Sequence, residues 1–248
     1  MPEFDDSTLW RISAYERFRE ENGHSGFAAL NGRTIVPTTL AAELTTLENR
    51  RRSGDVVDVL AACIRKRESA LILLRHLDLV WPLTVFPQHG LYHLPRPIID
   101  ALDDGNRGMK VLAVEPPGLR PPGHAMSERI TDLQNYRPLP PLLWALAMKA
   151  PQVNLLDDIA GSVAYRVSAD FIDDGITLAG ALSPVLRRLR LEIATLDQIA
   201  RWPGMDAERT GRLLNGVYLQ GGLIVLRSHR LARQGGASRL MGWLRSDR

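Results

Sequence analysis

Arginine is the residue type here with most chemistry to offer, and it is unevenly placed. Residues 184–248 carry 12 Arg, no Lys and 5 acidic residues, net +7, whereas residues 1–183 carry 16 Arg, 3 Lys and 23 acidic residues, net −4. A guanidinium is always charged and forks onto phosphate or carboxylate. A cationic end on an acidic chain therefore points to an anionic partner, nucleic acid ahead of membrane because no long basic amphipathic stretch is present. The excess of Arg over Lys, 28 to 3 in the whole chain, is equally what codon bias and a solvated surface would give. Other reactive groups point to structure. His89 and His93 could share a metal on a helix, but Gly90 and the nearby prolines make that segment a hairpin, where they are too far apart. Cys63 has no partner for a disulfide or a cysteine-based zinc site, and it falls on an apolar helical face as a small core residue. The acidic doublets Asp5-Asp6, Asp103-Asp104, Asp157-Asp158 and Asp173-Asp174 fall mostly at turns or helix starts, where Asp caps. Arg50-Arg51-Arg52 sits on the last turn of a helix and complements its dipole. No phosphate-binding glycine loop, nucleophile elbow, zinc-protease motif or cysteine pair is present. Neither enzymatic activity nor a cofactor is expected.

The elements that must position these residues fit one large domain or two small ones in 248 residues, with 45% apolar content and 24% charge, enough to bury a core. The longest apolar runs, Ala70–Leu74 and Leu142–Met148, are too short to span a bilayer. The acidic start, with no apolar stretch after it, suits a cytoplasmic protein. Hydrophobic spacing predicts helices over Thr8–Glu21 (capped by Ser7), from Thr39 (Leu40, Leu44 and Leu47 on a stripe), from Asp55 (Val56, Val59, Leu60, Cys63) and over Ser69–Leu79. A loop rich in Gly and Asn covers 22–32. Leu83–Phe86 and Leu91–Leu94 read as a hairpin around Pro87–Gly90. A short helix Ile98–Leu102 and a buried strand Met109–Val114 follow. The doubled Pro-Pro-Gly stretch of Glu115–His124 can be neither helix nor central strand, so it is a stiff loop that connects, covers a cleft or docks a partner. Helices are expected again at Ser127–Asn135, Pro141–Ala150 and Asn154–Val167. Asp173-Asp174-Gly175 marks the domain boundary, giving a helical or mixed α+β domain over 1–175 and a second domain over 176–248.

After Pro184 the signals tighten. Val185, Leu186, Leu189 and Ile193 share a helical face. Thr195 caps a short helix with Leu196, Ile199 and Ala200 inward, and Trp202-Pro203-Gly204-Met205 breaks it. Asp206 caps a longer helix with Leu213, Leu214 and Val217 inward, stopped at Gly221-Gly222. Leu223–Leu226 reads as a strand, and Arg227–Arg233 as a basic loop. These residues resemble the winged helix-turn-helix superfamily over roughly 184–235. The likeness rests on Ile199-Ala200, Gly204-Met205, Arg212-Leu213-Leu214-Asn215 and Gly222-Leu223-Ile224. It implies a second helix that enters the major groove and a wing that follows a phosphate backbone. By that resemblance Glu208, Arg209, Arg212 and Asn215 are exposed groove-facing residues. Arg227, His229, Arg230 and Arg233 are wing or flanking phosphate contacts. Arg209 and Arg212 would read guanine edges. Asp206 and Glu208 depart from this pattern by setting like charge against phosphate.

A shift of 140 residues lays Asp55–Tyr92 on Thr195–Ala232 with 8 of 38 positions identical, among them Glu68, Leu73, Leu74 and His89. That match suggests a second winged-helix-like unit at 55–94; two unrelated helix-helix-hairpin units are the alternative. The expected fold class is α+β, predominantly helical, with a C-terminal winged helix. The expected function is a non-enzymatic cytoplasmic regulator of transcription that binds double-stranded DNA through residues 176–248. The rest of the chain would supply homodimerisation or signal sensing. The alternative is an adaptor whose winged-helix surfaces dock a protein partner in a larger assembly.

Overall fold

A computed structural model describes residues 9–21, 36–96, 98, 109–150, 154–172, 176 and 178–228. The fold is mixed α+β and divides into two units, Met1–Leu142 and Leu143–Arg248.

In the first unit, Trp10–Arg11 (β1) leads into Ile12–Glu21 (α1). The expected helix from Thr8 thus begins four residues late, because Trp10 and Arg11 pair with Val80 and Leu79 of a sheet. Ser7 and the loop 22–32 lie outside the described residues. Thr38–Asn49 (α2) buries Leu40, Leu44 and Leu47, the expected stripe. Val56–Lys66 (α3) starts where the Asp55 carboxylate accepts from the Val57 and Asp58 amides at 2.8 and 3.3 Å, taking up donors that a helix start leaves free. It ends with Arg67 in the left-handed region and the Glu68 amide donating back to the Cys63 carbonyl. Arg52 pairs with the buried Asp58 at 2.6 Å, so the end of the basic run has a structural role. Arg65 and Lys66 of α3 both pair with Glu43 of α2.

The helix expected over Ser69–Leu79 is a correction. Ala70–His76 (β2) turns at Leu77-Asp78 into Leu79–Phe86 (β3), with Leu77 at φ 53°. A run of apolar residues this short does not separate a doubly buried strand from a helix. Here Leu71 and Leu73 pack with Tyr15, Val80 and Ala113 on one face, while Ala70, Ile72 and Leu74 are fully buried on the other. The expected hairpin is present: Pro87–His89 forms one tight turn, Gly90 takes φ +62°, and Leu91–His93 (β4) pairs back on β3. Lys110–Glu115 (β5) and Tyr136–Pro138 (β6) complete an antiparallel sheet in the order β5-β2-β3-β4-β6. β1 shares an edge of β3 with β4, and Pro82, which cannot donate to a ladder, lies in the interval between their pairings.

No helix or strand is present over 116–126, as the prolines require. Ser127–Asn135 is not a continuous helix; it makes two single 3₁₀ turns, at Ser127–Arg129 and Leu133–Asn135. Of the expected helix Ile98–Leu102 only Ile98 is described, and it is buried. Residues 55–94 therefore hold one helix and three strands. Under the 140-residue shift, strand β2 would fall on residues of a helix, so no second helix-turn-helix lies there and the repeat is overturned.

The boundary between the units falls inside Leu139–Lys149 (α4), not at 173–175, which lies outside the described residues. The reason is a strand pairing. Ala164–Val167 (β7), expected as the end of a helix from Asn154, pairs antiparallel with Leu223–Leu226 (β8). Gly161-Ser162 breaks the chain after a turn at 157–159, and the β-branched and aromatic run that follows extends. Leu182–Leu191 (α5), Leu196–Ile199 (α6) and Ala207–Leu219 (α7) complete the second unit. No helix among the described residues is long and apolar enough to cross a membrane.

Candidate functional site: the last three helices and strand of the second unit

Local signals place α6 and α7 as expected. The Thr195 hydroxyl accepts from the Gln198 amide while the Gln198 side chain accepts from the Thr195 amide, a reciprocal capping box. Gly204, at φ +74°, turns the chain where a Cβ would stand 2.6 Å from the Ala181 Cβ, so only glycine fits. The Asp206 carboxylate accepts from the Arg209 amide at 2.7 Å. At the far end the Gly221 and Gly222 amides donate to the Tyr218 and Val217 carbonyls. Val185, Leu186, Leu189, Ile199, Leu213, Leu214 and Val217, the apolar faces expected to turn inward, are buried.

The later part of the α7 face expected to meet a groove is covered. Asn215 is 5% exposed, and its amide is fully used within the fold. Its Oδ1 accepts from the Leu156 amide at 3.1 Å and its Nδ2 donates to the Asn154 carbonyl at 2.9 Å. Gly216 lies against the Trp144 ring, where a Cβ would come within 2.9 Å. Arg212 donates to the Ala150 carbonyl at 2.9 Å and pairs with Glu208 at 2.6 Å. The reading of Asn215 as an exposed groove-facing residue is therefore corrected, because it is buried with its amide engaged by Asn154 and Leu156, and Arg212 is tied to Ala150. Glu208 and Arg209 remain exposed at the helix start, with Arg209 Nη1 donating to the Gly204 carbonyl at 2.8 Å.

The segment expected to form a wing is also paired differently. Tyr165 pairs with Val225 of β8 on one side and exchanges backbone bonds of 2.8 and 3.1 Å with Ala194 on the other, so β7 lies between them. The strand on β8 thus comes from before the helices, not after them. Arg227, expected on the wing, donates to the Asp158 carbonyl at 2.5 Å. His229, Arg230 and Arg233 lie outside the described residues. Tyr165 itself donates to the Ile159 carbonyl at 2.7 Å, and burial pushes its hydroxyl up to about 12.

Sequence reasoning missed the contribution of 143–172. Its trace was Leu213-Leu214-Asn215-Gly216-Val217, where a glycine inside a helix beside a lone amide marks a second, closely packed face.

Several exposed side chains lie at or next to the residues that Arg166 and Arg190 engage. Arg166 stands opposite Ile224 and donates to the Arg190 carbonyl at 3.2 Å, while Arg190 donates to the Phe171 carbonyl at 2.9 Å. The neighbours of these residues, Ile172, Leu191 and Ile224 itself, are exposed apolar side chains, Leu191 to 82%. On α5, Arg188 stacks 4.2 Å over the Trp202 ring and pairs with Glu192. Among the described residues no group of three or more His, Cys, Asp or Glu is placed to hold a metal.

No family model, curated protein or solved structure matches this chain.

Proposed function

We propose that this protein is a non-enzymatic adaptor whose second unit docks another protein through a rearranged winged helix. The observation that carries this reading is the cover over the later part of the α7 face, at Arg212, Asn215 and Gly216. A helix that reads bases must lie bare in a groove about 12 Å wide. Here Arg212, Asn215 and Gly216 are engaged by Trp144, Ala150, Asn154 and Leu156. The order α5, α6, α7, β8 supports the winged-helix assignment, with β7 supplying the strand beside β8.

The docking surface in this reading is the Arg166, Ile172, Leu191 and Ile224 cluster. Arginine beside exposed apolar side chains is the composition of an interface centre, and it fits a protein face carrying acidic and apolar groups.

The test uses the full chain on mixed duplex DNA at two salt concentrations, beside its interaction profile in its source cells. The adaptor reading expects only weak duplex binding without sequence preference, abolished by salt. It also expects a recurrent protein partner that Leu191→Asp and Ile224→Asp release and Arg209→Ala retains. Sequence-selective duplex binding that Arg209→Ala relaxes would restore transcription regulation as the function.

A further inference from the structure

We propose that the cavity beneath the doubled Pro-Pro-Gly loop of the first unit binds a small zwitterion, a molecule with one carboxylate, one ammonium and an apolar body. The cavity has a volume of 410 Å³, within the range of roughly 300–1,000 Å³ usual for small-molecule sites.

One wall is the loop itself. Pro116, Pro117 and Pro121 have fixed φ angles, so this wall is stiff before any ligand arrives. Its backbone is pinned around Arg120: the Arg120 amide donates to the Arg129 carbonyl at 3.0 Å, and the Tyr136 hydroxyl donates to the Arg120 carbonyl at 2.7 Å. With both backbone groups satisfied, the guanidinium is what Arg120 has to offer. Arg120 lines the cavity as a permanent cation, and a carboxylate is the group that answers a guanidinium with charge-assisted hydrogen bonds.

The other wall comes from the end of α3 and the turn between β3 and β4. Glu68 follows the left-handed Arg67, and Gln88 donates to the Arg67 carbonyl at 2.9 Å, tying that turn to the helix end. Phe86 and Pro37 add apolar surface. The cavity is thus lined by Arg120 on one wall and Glu68 on the other, with His89, His124, Ser69 and Gln88 as its further polar residues and apolar surface on both walls. A purely anionic ligand would meet Glu68 as a like charge, and a purely cationic one would meet Arg120. A zwitterion answers both.

The experiment is calorimetric titration of the full chain with L-phenylalanine, 3-phenylpropanoate and phenethylamine, which share a phenyl body and differ in charge. Saturable binding of L-phenylalanine is expected, with each singly charged analogue about tenfold weaker or more, the usual scale for a hydrogen bond to a charged group. Arg120→Gln should weaken L-phenylalanine by a similar factor and leave phenethylamine bound as well as before or better, since it removes a like charge; Glu68→Gln should likewise weaken L-phenylalanine and not weaken 3-phenylpropanoate. Should Arg120→Gln melt early, Arg120→Lys keeps the charge and loses the fork, and it must weaken L-phenylalanine more than phenethylamine. No saturable binding of any probe at about 10 mM overturns the proposal, as do equal affinities for all three or variants that bind like the parent.

Discussion

Asn215 is the single side chain on which the reading of the second unit turns. An amide on an exposed helix face can be truncated at almost no cost to stability, within about 0.5 kcal/mol. Here its loss would strand the Leu156 amide and the Asn154 carbonyl, so Asn215→Ala should destabilise the protein by about 1–3 kcal/mol in urea unfolding. An unchanged midpoint would mean that the face is open after all. His93 gives a second residue-scale expectation, because it sits buried in β4, 5.0 Å from the Tyr136 ring, with Nε2 unpartnered. Burial first, and the charge of Arg137 second, hold its imidazole below the ordinary value of 6.5. The unfolded chain therefore takes up the proton at a higher pH than the folded chain does. The contribution of His93 to stability is full above pH 6.5 and is lost as pH falls through the depressed folded value. His93→Phe, which keeps a ring beside Tyr136, should flatten the fall in stability below pH 6.5, and a slope equal to the parent's would refute this. Neither role follows from residue type alone, since both depend on partners from other elements.

At the scale of elements, close approach limits what α7 and the turn after it tolerate. A Cβ on Gly222 would stand 2.2 Å from the Phe171 ring, and one on Gly216 would stand 2.9 Å from the Trp144 ring. Alanine normally favours a helix over glycine by about 1 kcal/mol. At Gly216 overpacking should outweigh that gain and leave Gly216→Ala destabilised by about 1–3 kcal/mol. Gly222→Ala should cost more, because it lies closer to its ring, and Phe171→Leu in the same chain should recover part of the loss. Thermal melts of the single and double variants decide this: additive losses would mean that the two residues do not touch. The caps at Thr195 and Asp206 and the stop at Gly221 were legible in the sequence because each is a bond or a backbone angle within a few residues. The faces of β2 and β3 were not. Ala70–Leu74 carries no polar residue to set a period, and which partner buries it is decided by β5 and α1, distant in sequence. The candidate site was legible to the same extent: the helix order was, while the cover over Arg212 and Asn215 came from a segment with no local signature of that role.

For the molecule as a whole, the question is where one folding unit ends and the next begins. Turn chemistry and the change of charge sign pointed to 173–175, yet the pairing of β7 with β8 crosses that position and binds 164–167 to 223–226. Asn154 and Leu156 on Asn215, Phe171 on Gly222, and Trp144 on Gly216 cross it as well. Cutting at 176 would expose one edge of β8, orphan the Asn215 amide and uncover α7, removing several contacts worth about 1–3 kcal/mol each from a fold whose net stability is about 5–15 kcal/mol. A fragment of 139–248, which begins with the whole of α4, should therefore unfold cooperatively in urea, and one of 176–248 should show no cooperative transition. Amide exchange separates the cases further, because the β8 amides facing β7 should be protected in the longer fragment and open in the shorter. Equal stability of the two fragments would show that α5 to β8 carries its own core, and would return α7 to candidacy as a bare recognition helix with Arg209, Arg212 and Asn215 free to meet DNA.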